Sequence, residues 1–315
     1  MYTNTIADGV WPTMITPYTE DGSIDYESLQ ALADWYTQRG VAGLFAVCQS
    51  SEMFHLSLKE RIELSRACVL AADGRVPVIA SGHVSNALDD QVDEVQRMAD
   101  TGVQAVVLIV NRFAREYESD EVLMYRLEQF LSRVPEDLLL GFYECPFPYK
   151  RLVSPRIMRF GVESGRFGFL KDTSCSLDDM KNKLRIATGS NFKLFNANAA
   201  TLLESLRAGA AGYSGVMANF HPELYAWLVR HWRSANSDAE AVQAFLGLAS
   251  VIEGQYYPVN AKYALSLAGV PIRLGSRHRD PNGLTAAMKM EIEQMIAVAQ
   301  RFSTSIPIES LEFSR

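Results

Sequence analysis

The chain has 315 residues, 48% of them apolar, enough for a full core arranged as one large domain or two smaller ones. A formal net charge of −7 argues against nucleic acid or an anionic membrane surface as the main partner, and the tightest basic groups (Lys181, Lys183, Arg185; Arg273, Arg277, Arg279) are short and read as solvated surface. No apolar run approaches the roughly 18 residues of a membrane span, the N-terminal stretch lacks a secretory pattern, and four cysteines without a CxxC pair fit reduced thiols in a cytoplasm.

Short apolar runs alternate with amphipathic stretches along the first two thirds of the chain. The runs cover 10–16, 43–47, 76–81, 105–110, 138–143, 167–171, 192–196 and 212–216, the last being the weakest. Several are rich in Val, Ile, Leu or Phe and apolar on both faces, as buried parallel strands are. Between them, helical periodicity is clearest over 26–38, 59–72, 88–101 and 121–134. Ser57 with Glu60 forms a capping-box pattern, and Ser85 before Leu88 is a second helix start. Gly40, Gly74, Gly102 and Gly209 follow helical stretches, as C-terminal stops do. Eight strand–helix units in this length predict a closed (β/α)8 barrel, with an open doubly wound sheet as the alternative. Beyond residue 224 the pattern is helical only, over 224–233, 239–253, 260–268 and 283–302, with Pro258, Pro271 and Pro281 near the breaks. This divides the chain into a barrel with the active site (1–224) and a C-terminal helical extension packed on it (225–315).

Barrels of this kind carry their chemistry at the C-terminal ends of the strands. Lys171 closes an apolar run there, where desolvation lowers an ammonium's pKa and frees a neutral amine to attack a carbonyl. Taken alone, it reads sooner as a lysine paired with Asp172 at a strand end. Tyr143 ends the preceding strand and is placed to move protons, or to plug the barrel with its hydroxyl on backbone. Ser50 and Ser51 offer hydroxyl and N–H groups to a carboxylate, or simply form a turn.

Together these residues resemble the superfamily of pyruvate-dependent Schiff-base aldolases and lyases that includes dihydrodipicolinate synthase and N-acetylneuraminate lyase. The resemblance runs from about Pro12 to beyond Asn260. It rests on Thr16-Pro17, Ser51-Glu52 before Leu56, Tyr143 with Pro146, Phe169-Leu170-Lys171-Asp172, Leu194-Phe195-Asn196, and the stretch from Ala208 to Asn219. It implies that Lys171 forms the imine, that Tyr143 shuttles protons, and that members commonly assemble as homotetramers. The family's glycine-threonine-threonine-glycine-glutamate loop is Cys48-Gln49-Ser50-Ser51-Glu52 here, so Ser50 keeps the carboxylate-binding hydroxyl while Gln49 replaces the one that usually relays protons.

Departures from the family separate this chain from its best-known activities. An aliphatic residue stands in Leu108-Ile109-Val110-Asn111-Arg112, where dihydrodipicolinate synthases carry a relay tyrosine, and Pro148 aligns with their carboxylate-binding arginine. Ala199-Ala200 replaces the acidic pair by which N-acetylneuraminate lyases hold a sugar tail. The expected ligand is therefore some other small-molecule 2-oxo acid, a deoxy sugar acid or an aromatic pyruvate adduct, with cleavage and dehydration both open. Asn196, Asn198, Ser214, Gly215, Glu144 and Arg151 are candidates to hold it beside Gln49, Ser50 and Ser51. Cys48, Cys145 and Cys175 fall at strand ends and read as small apolar filling. His55, His83, His221, His231 and His278 have no ligand spacing, and no glycine-rich phosphate loop is present, so neither metal nor nucleotide cofactor is expected. Two alternatives to a metal-free lyase stay open: a non-catalytic barrel that binds 2-oxo acids as sensor or scaffold, motivated by the altered Gln49 loop, and a metal-dependent barrel lyase.

Overall fold

Eight parallel strands form the centre of the computed structural model, which describes residues 5–234 and 236–306. They are β1 (Gly9–Val10), β2 (Leu44–Ala46), β3 (Val78–Ala80), β4 (Ala105–Ile109), β5 (Leu140–Tyr143), β6 (Phe167–Asp172), β7 (Lys193–Asn196) and β8 (Gly212–Tyr213). Each overlaps the apolar run that predicted it. Sequence neighbours pair from β2 through β8, and β8 pairs with β1. The remaining seam closes through backbone bonds, Ala42 N–H to the Val10 carbonyl at 2.8 Å, Phe45 N–H to Pro12 at 3.0 Å and Met14 N–H to Phe45 at 2.9 Å. The sheet is thus a closed barrel, and the open alternative is set aside.

The first strand is much shorter than the apolar run 10–16. Pro12 has no N–H to give a ladder, so regular pairing stops at Val10 and resumes only as a bridge between Thr13 and Phe45. The weak signal of the last strand also has a cause. Gly212 lies opposite Gly9 with φ +156°, and a Cβ there would overlap the Gly9 carbonyl, so barrel closure requires a residue without apolar bulk.

Helices α1 (Tyr26–Thr37), α2 (Leu58–Ala72), α3 (Leu88–Ala99), α4 (Asp120–Leu131), α5 (Pro155–Ser164), α6 (Leu177–Ala187), α7 (Leu202–Arg207) and α8 (Pro222–His231) complete the units. The capping box on α2 is present: Ser57 Oγ accepts from Glu60 N–H at 3.2 Å and Glu60 accepts from Ser57 N–H at 2.8 Å. Such a cap contributes about 1 kcal/mol. Ser85, by contrast, does not start α3, whose cap position is Ala87. Its hydroxyl and N–H go instead to the Glu94 carboxylate, which is buried against Arg61 at 2.9 Å.

After α8 come α9 (Asn236–Ala249), α10 (Val259–Leu267) and α11 (Ala286–Ser305). The boundary expected at residue 224 falls inside α8, which packs on β1 and β8 as the eighth barrel helix. Residues 307–315 of the expected extension lie outside the described residues. Among the described residues no helix is long and apolar enough to cross a membrane.

Candidate active site

A cavity of about 410 Å³ opens at the C-terminal ends of the strands. Of the residues picked out from sequence, Lys171, Tyr143, Gln49, Ser50, Asn198 and Gly215 line it. Parallel register puts Tyr143 directly opposite Lys171, the last inward-facing pair of β5 and β6. The Lys171 amine lies 4.4 Å from the centroid of the Tyr143 ring and 5.2 Å from that of Phe45. It is 5% exposed, and burial lowers its pKa from 10.5 to about 8 against the counter-pull of nearby acidic groups, Glu253 among them. Burial likewise raises the Tyr143 phenol well above its ordinary value.

Lys171 does not pair with Asp172, which points to the opposite face of β6. There Lys183 on α6, fully buried, sits 2.6 Å from each of Glu144, Asp172 and Asp179. This corrects the reading of Lys183 as solvated surface: three carboxylates replace its water. Burial pulls its pKa down, but Glu144 and Asp172 outweigh that and hold it above the ordinary lysine value. The three carboxylates lie close enough together to suit a cation, and the Lys183 ammonium stands among them.

Several candidates serve structure rather than the cavity. Ser51 donates to the Met14 carbonyl at 2.6 Å and accepts from Cys48 N–H at 3.1 Å, fixing the 3₁₀ turn that presents Gln49 and Ser50. Asn196 donates to Thr201 and Ser205 and accepts from Asn198 N–H, and Ser214 donates to the Trp11 carbonyl. Glu144 accepts from Val153 and Thr173 N–H besides Lys183; Arg151 reaches Arg115, Glu118 and Asp120. Neither Glu144 nor Arg151 lines the cavity. Among the cysteines, Cys145 is more than apolar filling, since its thiol donates to Gln49 Oε1 at 3.2 Å.

The C-terminal extension supplies part of the site, which sequence reasoning missed. Tyr257 and Glu253 line the cavity, as do His278 and Arg279. The Tyr257 hydroxyl accepts from Asn219 at 3.2 Å, and the Ser50 hydroxyl donates to Thr13 at 3.1 Å. Glu52 explains how the extension is held. Its carboxylate accepts from Arg277 N–H at 2.6 Å, His278 N–H at 2.9 Å and Ser276 Oγ at 2.9 Å, with Lys262 at 3.3 Å. Aromatic side chains Phe54 and Phe147, centroids 4.8 Å apart, form an apolar wall.

The profile of the Dihydrodipicolinate synthetase family matches residues 7–299. A 4-hydroxy-tetrahydrodipicolinate synthase of Saccharophagus degradans is 28% identical over 303 residues, spanning 92% of this chain and 98% of its own. A probable 2-dehydro-3-deoxy-D-pentonate aldolase of Escherichia coli is 23% identical over 273 residues, 84% of this chain and 88% of its own. Among solved structures, a prophage protein of the dihydrodipicolinic acid synthase family from Escherichia coli K12, in complex with pyruvate, superposes with a TM-score of 0.81 at 22% identity, covering 94% of this chain and 98% of that one. The chain belongs to the dihydrodipicolinate synthetase family, as a divergent member of the pyruvate-dependent lyases and aldolases.

Proposed function

We propose that this cavity cleaves or dehydrates a small 2-oxo acid through a Schiff base on Lys171, with Tyr143 as the proton shuttle. The observation that carries this reading is a buried amine, its pKa lowered to about 8, paired across the strands with a phenol. Neutral Lys171 attacks the 2-oxo carbon, and the Tyr143 phenol gives its proton to the departing hydroxyl, so that water leaves and a protonated imine faces a phenolate. In cleavage, the Tyr143 oxygen takes the proton of the C4 hydroxyl, the C3–C4 bond breaks, and its electron pair passes into the imine as an enamine. An aldehyde leaves, C3 is reprotonated, and water releases pyruvate and the free amine. In dehydration, the same imine acidifies C3–H and a hydroxyl leaves from C4 as water. Ser50 takes the substrate carboxylate, a role supported by its position in the cavity lining and by its hydrogen bond to Thr13.

Lysine biosynthesis is not the proposed role, because the relay phenol and the arginine are missing at their aligned positions. Nor is a sialic-acid tail accommodated. Ala199 and Ala200 give only carbonyls, and these accept from Gln243 of α9. Gln49, Thr173 and Asn198 suit a deoxy sugar acid, while Phe54 and Phe147 suit an aromatic pyruvate adduct. The non-catalytic reading gains no support from relatives named as synthases and aldolases. A homotetramer belongs to the proposal by resemblance and is checked by sedimentation.

The deciding experiment is peptide-level mass spectrometry after incubation with pyruvate and borohydride. A reduced adduct on Lys171 is expected, with none in Lys171→Ala. Tyr143→Phe should keep the adduct while slowing turnover of a cleavable substrate by about 10²–10⁴-fold. Turnover retained in Lys171→Ala would overturn the reading.

A further inference from the structure

Lys171 and Tyr143 act at one end of a substrate, and other residues of the cavity must read the far end. Two carboxylates line it, Glu52 and Glu253. Glu52 is engaged, accepting from Ser276 Oγ and from the N–H groups of Arg277 and His278, with Lys262 beside it. Glu253 is half-buried, and among the described residues no hydrogen bond or ion pair reaches its carboxylate, nor does protein seal it in. Its backbone is held. It lies in the 3₁₀ turn Ser250–Gly254, where the Ile252 carbonyl accepts from Asn260 Nδ2 at 2.7 Å and from Gln255 N–H at 2.9 Å. That turn packs on Val216–Asn219, just beyond β8. Asn198, just past the end of β7, lines the same cavity. Thr201 fixes its amide, since the Thr201 N–H donates to Asn198 Oδ1 at 3.1 Å and its hydroxyl lies 3.2 Å from the same oxygen. Asn198 Nδ2 is then the donor end, and among the described residues it has no acceptor.

We infer that Glu253 and Asn198 form the subsite that reads hydroxyl groups on the substrate beyond C4, so that the ligand is a 2-oxo acid with a hydroxylated, uncharged tail. This rests on the reading of the cavity as a Schiff-base site on Lys171. A hydroxyl both gives and accepts a hydrogen bond, and the pair offers a partner for each: the carboxylate takes the O–H, and the amide N–H goes to the oxygen. Two carboxylate oxygens suffice for two neighbouring hydroxyls. An aromatic tail would cover both groups and leave them unpaired, while a second carboxylate on the tail would face the Glu253 charge away from bulk water. Burial raises the Glu253 pKa and the charge on Lys171 lowers it, so a protonated imine favours the ionised acceptor. The basic side chains at the rim are occupied, Lys150 donating to the Thr173 carbonyl at 2.8 Å and Arg279 to the Tyr257 carbonyl at 3.3 Å. Phe54 and Phe147 are left to pack the carbon skeleton of the tail.

The test runs the proposed cleavage in reverse, with the whole protein, pyruvate and an aldehyde. The enamine carbon bonds to the aldehyde carbon, and the aldehyde oxygen takes a proton. Product formation is followed by NMR for D- and L-glyceraldehyde, for propanal, which has the same carbon skeleton without the hydroxyls, and for benzaldehyde and glyoxylate. The readout is kcat/KM for glyceraldehyde divided by that for propanal, a ratio in which any effect of a substitution on Lys171 or on folding cancels. Glu253→Ala should lower this ratio about 10- to 100-fold, the loss of a hydrogen bond to a charged group. Glu253→Gln, which keeps one acceptor oxygen, should recover part of it. Asn198→Asp, which keeps the contact to Thr201 but not the N–H donor, should lower it about 3- to 10-fold. An alanine variant with the wild-type ratio overturns the assignment, as does a wild type that prefers benzaldehyde or glyoxylate to both glyceraldehydes. Borohydride trapping keeps the two readings apart. With no wild-type pyruvate adduct on Lys171 the Schiff-base reading falls and this one with it, whereas an adduct-forming wild type that condenses neither glyceraldehyde overturns the subsite alone.

Discussion

Burial of Lys171 fixes how imine formation must depend on pH. With its pKa lowered from 10.5 to about 8, about one amine in ten is neutral at pH 7; at the ordinary value it would be about one in three thousand. The rate of attack on pyruvate follows that fraction. It should rise about tenfold from pH 7 to pH 9 and then level, whereas an ordinary lysine would gain about a hundredfold over the same range and keep rising. The assay is adduct formation on Lys171, with samples quenched at timed intervals into borohydride at one common pH. A hundredfold rise without a plateau would refute the claim that desolvation tunes this amine. The same shift has a sign in stability. Between about pH 8 and 10.5 the unfolded chain holds a proton that the folded chain does not, so folding stability rises with pH across that window. Below it the full cost is present, about 3 kcal/mol from the 2.5-unit difference between 10.5 and 8. Lys171→Met should therefore abolish the adduct and raise the melting temperature at pH 7, and a variant that melts lower would count against a desolvated ammonium.

Removing the Tyr257 hydroxyl as Tyr257→Phe should weaken pyruvate capture about 5- to 10-fold at unchanged maximal trapping, measured as the concentration dependence of adduct formation. Lys183→Met leaves Glu144 and Asp172 buried without their cation and should cost about 3–5 kcal/mol in urea unfolding. Burial holds His83 and His221 at about 3, below their ordinary 6.5, so the unfolded chain binds the extra protons and stability falls as pH drops through that window. Each should cost about 2 kcal/mol between pH 7 and 5, and His221→Phe should flatten that slope in denaturation at the two pH values.

The barrel was legible because most of its strands are buried on both faces and read as apolar runs, β8 giving the weakest signal. Lys171 and Tyr143 were legible because each ends such a run with a reactive side chain. What lay beyond reach depended on long-range contacts. Glu52 binds backbone N–H groups some 225 residues away, and no local pattern marks a carboxylate that accepts from main chain. Glu253 ends a stretch whose periodicity is helical and Tyr257 falls in the break marked by Pro258, and nothing local aims either at a cavity. Lys183 was misread for a related reason. Its neighbours Lys181 and Arg185 suggest a charged face, while its true partners stand on β6 and at the end of β5.

Those partners follow from strand alternation, and they bear on the chemistry in front of them. Glu144 and Asp172 each come one residue after Tyr143 and Lys171, so when the phenol and the amine face the cavity, both carboxylates must face the helices. Placed there unpaired, they would draw the sheet apart by like-charge repulsion and burial, and Glu144 is indeed pushed up to about 7 by burial and by Asp172. Lys183 joins them and fixes the two strand ends against α6. It also engages Asp172, the carboxylate nearest Lys171 in sequence, on the far side of the sheet. Had Asp172 turned inward beside Lys171, it would have held that amine as an ammonium and removed the nucleophile. The buried ion cluster behind the sheet and the depressed lysine before it are therefore two faces of one arrangement, in which burial lowers Lys171 and Glu253 of the C-terminal extension pulls only partly the other way.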